Sequence, residues 1–311
     1  MKKTVIAVVG PTAVGKTSLS IMLAKRFNGE IISGDSMQVY KGMDIGTAKV
    51  SEEEMEGIPH HLIDIKEPAE EYSAADFKMD VSKKIDEISA KDRLPIIVGG
   101  SGLYIQAALY DYNFPSIPRD DNRTEELMRE AREAGIERIY NRLAEVDPEQ
   151  AEKIHPNNHR RVIRALEIYE TTGKTKTTWE KEQKLESPYN VLFIGLEMDR
   201  ELLYREINKR VDLMMENGLL EEVTTLYNKG YKDTQAMKAI GYKEFIPYLE
   251  GRQGLDETIE ILKQNSRRYA KRQYTWFRNK LPVDWYSVEP VEKDKKFSMI
   301  LSKVAGILEM K

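Results

Sequence analysis

Residues 10–17 read GPTAVGKT and match the pattern G-x-x-x-x-G-K-[ST] of a phosphate-binding loop. In such a loop the backbone N–H groups point inward, and the following helix presents its positive N-terminal end to the bound anion. Lys16 is expected to reach the terminal phosphates, and the Thr17 hydroxyl is expected to bind Mg²⁺. The residues predicted to bind phosphate are Gly10, Thr12, Ala13, Val14, Gly15, Lys16 and Thr17.

A second acidic residue normally accompanies this loop in ATPases and kinases, where it helps to hold Mg²⁺. The best apolar strand further along, LPIIV at 94–98, is followed by glycines and Ser101 and offers no acid. The short strand at 30–33 is followed by Asp35, which is the carboxylate expected to face the loop. Asp35 is therefore a candidate metal ligand or base, and the alternative is a turn residue that accepts local backbone N–H groups.

The elements that position these residues alternate between strands and helices. Apolar, β-branched segments predict strands at 4–9, 30–33, 94–100 and 189–198. Helical spacing predicts helices at 17–27, from 101 to 109, at 200–223, around 234–249 and at 255–279. We expect an open parallel α/β sheet flanked by helices, in which ligands bind at the carboxyl ends of the strands.

The composition changes near Phe114, where the proline-containing segment NFPSIPRDD at 113–121 indicates a linker. From about 120 to 186 the chain is rich in charge and helical in pattern, and it offers no convincing strand. We therefore expect a phosphate-loop core formed by 1–113 and 187–311, with an all-helical insertion domain at 114–186.

Bulk composition excludes several classes of protein. The chain of 311 residues has no cysteine, which excludes disulfides, thiolate catalysis and cysteine zinc sites. It has no apolar run near the roughly 18 residues of a membrane span. We expect a cytoplasmic protein that does not enter a membrane, and a monomer, because its two parts together can supply a whole site. The net charge is −4, so a nucleic-acid partner must be met by a local basic patch.

Two such basic patches are present. Residues 263–280 contain seven basic and no acidic residues, with aromatic residues between them. Basic side chains can neutralise phosphates and aromatic rings can stack on unpaired bases, although a basic C-terminal half also complements the dipole of a helix. The segment HRRVIR at 159–164 would place a second basic stripe on one helix of the insertion.

A succession of motifs then points to a family. Residues 35–49 read DSMQVYKGMDIGTAK and are followed by PHHLID at 59–64, VGGSGLY at 98–104 and RRVIRALEIYETTGK at 160–174. With the phosphate loop, this order resembles the tRNA dimethylallyltransferases, also called tRNA isopentenyltransferases. The chain departs mildly from the family pattern at Val14 and at Ser101, where threonine is common.

The resemblance implies a reaction and a role for each motif. Dimethylallyl diphosphate would occupy the phosphate loop, and its five-carbon group would move to the exocyclic N6 amine of the adenosine 3′ of the anticodon in tRNA. Asp35 would be the base, and Gln38 would hydrogen-bond the edge of the adenine. The hydroxyl of Ser101 would lie near the target adenosine, which must be flipped out of its stack to react.

Two arginines are also implied by the resemblance. Arg123 would contact tRNA from the insertion. Arg210 borders the apolar face of its helix and either extends outward to solvent or turns inward onto the diphosphate; the resemblance favours the second. The expected tRNA contacts are Asp35, Ser36, Met37, Gln38, Ser101, Arg123, His159, Arg160, Arg161, Arg164, Arg268, Lys271 and Arg272.

Two rival functions are weighed against this one. The first is an ATP-dependent small-molecule or nucleoside kinase, and the second is an RNA-binding protein that uses a nucleotide as a switch. The lack of a second acid and the basic, aromatic C-terminal helix argue against the kinase. The phosphate loop itself is compatible with binding a nucleotide such as ATP, so this property stays open.

Overall fold

The computed structural model describes residues 2–110, 112, 114, 121–183 and 186–309. The chain divides into two compact units. The core unit comprises Met1–Tyr110 and Ser187–Lys311, and the helical unit comprises Asp111–Glu186. The helical unit therefore begins at residue 111, where the sequence placed the boundary after residue 113. The linker predicted at 113–121 lies, apart from residues 114 and 121, outside the described residues.

The core unit is built on a parallel sheet, which confirms the expected α/β fold. Its strands are β1 (Thr4–Val9), β2 (Gly29–Ser33), β3 (His60–His61), β4 (Leu94–Gly99), β5 (Asn190–Glu197) and β6 (Asp284–Ser287). Within the described residues they form one six-stranded sheet in the order β3-β2-β4-β1-β5-β6, and every neighbouring pair is parallel. Residues 5–9 of the central strand β1 are fully buried, because helices cover both faces of the sheet.

A helix follows each of the first four strands. These helices are α1 (Lys16–Arg26), α2 (Glu52–Met55), α3 (Ala74–Ser89) and α4 (Gly102–Leu109). The backbones at the carboxyl ends of β2 and β4 approach each other closely. A Cβ atom on Gly99 would lie only 2.2 Å from the carbonyl oxygen of Gly34. This contact needs glycine at residue 99, and it brings Asp35 and Ser101 to the same edge of the sheet.

The helical unit packs around its own small core. Its helices are α5 (Asp121–Ala134), α6 (Ile136–Val146), α7 (Pro148–Lys153), α8 (His159–Thr172) and α9 (Lys176–Glu182). Leu127, Ile139, Leu143 and Leu166 are buried together. The described part of this unit contains no strand, as the sequence predicts.

The C-terminal half of the core unit is helical, and here two predictions were wrong. Its helices are α10 (Arg200–Glu216), α11 (Leu219–Asn228), α12 (Ile246–Leu249), α13 (Leu255–Lys280) and α14 (Lys293–Glu309). The single helix predicted at 200–223 is broken at Gly218, whose φ of 97° ends the right-handed helix. In place of the single helix predicted at 234–249, two 3₁₀ turns and the short α12 form, and Gly241, with a φ of 99°, lies between the two turns. Among the described helices, none is long and apolar enough to cross a membrane.

Candidate active site

A cavity of about 760 Å³ lies in the core unit at the carboxyl ends of β1, β2 and β4. The residues after each of these strands line it, as expected for an open parallel sheet. The lining includes residues 12–18 of the phosphate loop and α1, residues 35–38, residues 46–50, Gly100, and Arg210, Tyr269 and Gln273 from later helices. Asp35 and the predicted phosphate-binding residues other than Gly10 therefore line one cavity.

The phosphate loop has the backbone geometry that its glycines require. Gly10 has a φ of 144°, and a Cβ atom there would lie 2.5 Å from the Leu196 carbonyl oxygen. Lys16 folds back over the loop, and its Nζ donates to the carbonyl oxygens of Gly10 at 3.0 Å and Pro11 at 2.6 Å. Burial and then the nearby Arg210 lower the pKa of Lys16 to about 7, while Asp35 opposes this shift. This lysine is therefore a cation that titrates near neutral pH.

Asp35 combines two of the roles that its sequence position allows. Its Oδ1 accepts the Met37 N–H at 2.9 Å, as a turn residue would. Its carboxylate also lines the cavity, where it interacts electrostatically with Lys16 and Arg210. Burial raises the pKa of Asp35, and the Met37 N–H and the two cations oppose the rise. A partly buried carboxylate of this kind is a suitable proton acceptor, because its raised pKa favours the protonated form.

Arg210 turns inward. Leu203, Ile207 and Val211 form the buried face of α10, and Arg210 borders that face. Its Nη1 donates to the Thr12 hydroxyl at 3.1 Å, so the guanidinium lies against the phosphate loop instead of extending to solvent. Burial lowers its pKa, although Asp35 opposes this. A second cation therefore lies beside the loop with Lys16.

Two site residues were missed by the sequence analysis, and both come from α13. Gln273 is buried, its Oε1 accepts the Thr12 N–H at 3.0 Å, and its Nε2 donates to the Gly100 carbonyl oxygen at 3.1 Å. Tyr269, one turn earlier, also lines the cavity, and burial raises its pKa to about 12, while Ser101 and Gln273 oppose the rise. The available signal was the polar pair at i and i+4 on the apolar side of this helix. Gln273 therefore connects the phosphate loop to the segment after β4.

The predicted adenosine-binding residues lie at the same edge. The Ser101 hydroxyl accepts the Ser36 N–H at 3.1 Å. Gln38 uses its amide within its own chain: Oε1 accepts the Ser33 hydroxyl at 2.8 Å, and Nε2 donates to the carbonyl oxygens of Thr47 at 3.3 Å and Ala48 at 3.2 Å. Hydrogen bonding of Gln38 to adenine stays a prediction, and it would require exchange of these bonds.

Among the aromatic residues of 263–280, the base-stacking prediction was wrong for Phe277, whereas Tyr274 and Trp276 are partly exposed. Phe277 is fully buried, and the Tyr274 hydroxyl accepts the Met198 N–H at 3.0 Å. Trp276 packs against Gly102, where a Cβ atom would lie 2.2 Å from the indole ring. The three cations of this helix that are predicted to bind tRNA, Arg268, Lys271 and Arg272, are exposed. These three cations therefore remain able to bind phosphates, whereas the rings of Phe277, Trp276 and Tyr274 pack against the core.

In the helical unit, the basic residues begin α8. His159, Arg160 and Arg161 are exposed in its first turn. Arg164 forms an ion pair with Glu167 at 2.6 Å. On α5, Arg123 forms ion pairs with Glu126 at 2.6 Å and Glu170 at 2.7 Å. Contact of these side chains with tRNA stays a prediction, and for Arg164 and Arg123 it would compete with the acidic partners.

The residues of the site are compatible with a Mg²⁺ ion that is held mainly by the phosphates of a bound substrate. The described residues contain no group of three or more His, Cys, Asp or Glu side chains that could hold a metal. The exposed Thr17 is the first residue after Lys16, and it lines the cavity. Mg²⁺ retains several waters and commonly uses phosphate oxygens as ligands, so one hydroxyl from the protein fits its needs.

The sequence model described as IPP transferase matches residues 38–280 of this chain. The tRNA dimethylallyltransferase of Oceanobacillus iheyensis is 59% identical over 311 residues, which cover 100% of this chain and 99% of that protein. The crystal structure of the full-length tRNA isopentenylpyrophosphate transferase of Bacillus halodurans matches with a TM-score of 0.75 and 51% identity, covering 100% of this chain and 98% of that chain. A eukaryotic dimethylallyltransferase acting on tRNA matches with a TM-score of 0.80 and 36% identity, covering 94% and 75% of the two chains.

Proposed function

Because the chain belongs to the IPP transferase family and transfers a dimethylallyl group to tRNA, we propose that dimethylallyl diphosphate is its donor and that the N6 amine of the adenosine 3′ of the anticodon is its acceptor. The observation that carries this proposal is the grouping of Lys16, Asp35 and Arg210 at one cavity. Two cations beside the loop suit a leaving diphosphate, and one partly buried carboxylate can accept the proton of an amine.

The reaction breaks one bond and forms one bond at carbon. The amine nitrogen attacks the first carbon of the dimethylallyl group, and the C–O bond to the diphosphate breaks. The diphosphate leaves with the electron pair, and the backbone N–H groups of the loop, Lys16 and Arg210 stabilise its growing charge. Asp35 accepts the proton from N6, which offsets the poor nucleophilicity of an aromatic amine.

Magnesium is the cofactor that we propose for this step. When bound, Mg²⁺ supplies further neutralisation of the diphosphate charge. On the protein side, the Thr17 hydroxyl is the group that would hold it, at the N-terminal end of α1.

The tRNA partner is met by exposed cations. We propose that Arg268, Lys271 and Arg272 of α13 bind phosphates of the anticodon stem-loop, because they are exposed on a helix whose buried face supplies Tyr269 and Gln273 to the cavity. In the helical unit we propose the same for Arg160 and its neighbours. The target adenosine must leave its stack to meet Asp35. We propose that the protein works as a monomer in the cytoplasm, where tRNA is found.

One assay tests the proposed reaction. The protein is mixed with an anticodon stem-loop RNA, Mg²⁺ and dimethylallyl diphosphate labelled in its five-carbon group, in the absence of ATP. We expect label in the RNA and release of diphosphate in equal amounts. A stem-loop with guanosine in place of the target adenosine is the control and should stay unlabelled. Unlabelled RNA in the first mixture, with turnover only when ATP is the donor, would support the kinase, which the family does not favour.

The titration of Lys16 gives a prediction about pH. Its pKa of about 7 is lowered by burial and by Arg210, so much of the free protein carries a neutral amine at about pH 8. Binding of a diphosphate favours the ammonium form, so binding at that pH takes up a proton. The affinity for dimethylallyl diphosphate should therefore fall as the pH rises above about 7, by up to about tenfold per pH unit.

Calorimetry measures this proton uptake directly. Titrations without RNA, in buffers of different ionisation enthalpy, should show greater proton uptake at about pH 8 than at about pH 6. The diphosphate also titrates in this range, so Lys16→Met is the control that isolates the contribution of the amine. Equal uptake by the natural protein and Lys16→Met at about pH 8 would contradict the prediction.

A further inference from the structure

The carboxylate of Glu222 occupies a turn of backbone N–H groups. On α11, its Oε2 accepts the N–H groups of Asp44 at 2.9 Å and Ile45 at 2.8 Å. Its Oε1 accepts the Gly46 N–H at 3.1 Å and the Tyr242 hydroxyl at 2.6 Å. Consecutive N–H groups of this kind form an anion-binding turn, and here the anion is a side chain of the same protein.

The segment that Glu222 holds forms one wall of the cavity. Residues 46–50 line the cavity, whereas Glu222 does not. Tyr242 is fully buried behind this wall, and a Cβ atom on Gly46 would lie 2.5 Å from its ring. A Cβ atom on Gly241 would lie 3.1 Å from the Gly46 carbonyl oxygen. The carboxylate and the ring therefore fix the position of this wall from the side that faces away from the cavity.

Hydrogen bonds connect the same wall to the backbone at Asp35. Gln38 donates to the carbonyl oxygens of Thr47 and Ala48, and it accepts the hydroxyl of Ser33. The Ser33 hydroxyl in turn accepts the Asp35 N–H at 3.4 Å. A shift of the wall would therefore be passed to the backbone that carries the carboxylate of Asp35, while the phosphate loop lies on other strands.

We propose that Glu222 is a positioning residue for dimethylallyl transfer, which sets the position of the wall at 46–50 and, through Gln38, that of the Asp35 carboxylate. This inference rests on the proposed role of Asp35 as the base. Glu222 contacts neither substrate in this account, because its oxygens are already used by the turn and by Tyr242. Its effect should fall on the chemical step and leave the binding of diphosphate unchanged.

Substitution of Glu222 by glutamine keeps the shape of the side chain and removes part of its capacity to accept hydrogen bonds. Glu222→Gln keeps the size of the side chain but has one acceptor oxygen, and its NH₂ group must face N–H or O–H donors. The amide can keep Asp44 and Ile45 satisfied, and then the Gly46 N–H loses its acceptor. Glu221→Gln is the matched control, because it makes the same charge change on an exposed neighbour in the same helix.

The experiment measures three quantities on the full chain. At saturating dimethylallyl diphosphate and stem-loop RNA, we expect the single-turnover rate of Glu222→Gln to fall by about tenfold or more, and that of Glu221→Gln to match the natural protein. The dissociation constant of inorganic diphosphate, measured without RNA, should stay within about twofold in all three proteins. Backbone amide hydrogen exchange at residues 44–46 should be faster in Glu222→Gln alone.

Each other outcome would overturn the inference. An unchanged rate in Glu222→Gln would show that the contact is only structural, and a parallel loss of diphosphate binding would show general damage to the site. If Glu222→Gln does not fold, Tyr242→Phe removes one donor of the same carboxylate and should reproduce the split between rate and diphosphate binding in a milder form. Hydrogen exchange tests the hold of Glu222 on the turn independently of any chemistry, so a failed role for Asp35 is distinguishable from a failed role for Glu222.

Discussion

Asp35→Asn is expected to lower the single-turnover rate of dimethylallyl transfer by about 10²–10⁴-fold, which is the typical contribution of a positioned general base. Asparagine retains an oxygen that can accept the Met37 N–H, so the turn after β2 is preserved. It cannot take a proton at neutral pH. The loss should therefore appear in the rate, and the affinity for the anticodon stem-loop should stay within about twofold, because the basic surfaces are unchanged.

The pH dependence of the rate provides a second readout for the same residue. Burial raises the pKa of Asp35, and a base must be deprotonated to act. The rate should thus decline as the pH falls through this raised pKa, and Asp35→Asn should lose that acidic limb. Asp86→Asn is a matched control, because Asp86 is an exposed partner of Lys3 outside the cavity lining. Transfer by Asp35→Asn at the rate of Asp86→Asn would remove Asp35 from the mechanism.

The phosphate loop and its surroundings could be predicted because their determinants are local. A β-branched buried strand, a glycine loop and a helix follow one another within residues 4–26, and all three form as expected. Asp35 was found for a related reason, because carboxyl ends of parallel strands share one edge of the sheet. The glycine pair Gly34 and Gly99 then makes that edge compact, which sequence spacing alone does not reveal.

The parts that sequence reasoning missed depend on long-range contacts. Gln273 bonds the N–H of Thr12 across 261 residues of chain, and no periodicity encodes that pairing. The aromatic residues of α13 show the same limit. The spacing of Tyr274 and Phe277 in the sequence is compatible with a helix face toward RNA and equally with one toward the core. Only the packing of β5 and α4 against the helix determines that these rings face the core. The short edge strands β3 and β6 lack the length to show a period-2 pattern.

The contact of Arg210 with the phosphate loop predicts that loss of this arginine strongly reduces the transfer rate. Arg210→Ala is expected to reduce the transfer rate by about 10²–10³-fold, because a preorganised cation beside the departing diphosphate is lost. The guanidinium donates to Thr12 and is partly buried, so water is a poor replacement for its charge. Arg210→Lys restores charge but not the planar pair of donors, and an intermediate rate is expected.

A control variant, Arg205→Ala, and the titration of Lys16 test whether the effect comes from the charge of Arg210. Arg205→Ala removes an exposed arginine of the same helix that does not line the cavity, and it should leave the rate unchanged. Arg210 also lowers the pKa of Lys16, so its removal should raise that pKa and reduce proton uptake on binding dimethylallyl diphosphate at about pH 8. An Arg210→Ala protein with the rate of Arg205→Ala and an unchanged proton uptake would show that the guanidinium only braces the loop. A loss of rate together with reduced uptake would show that Arg210 and Lys16 act on the same anion.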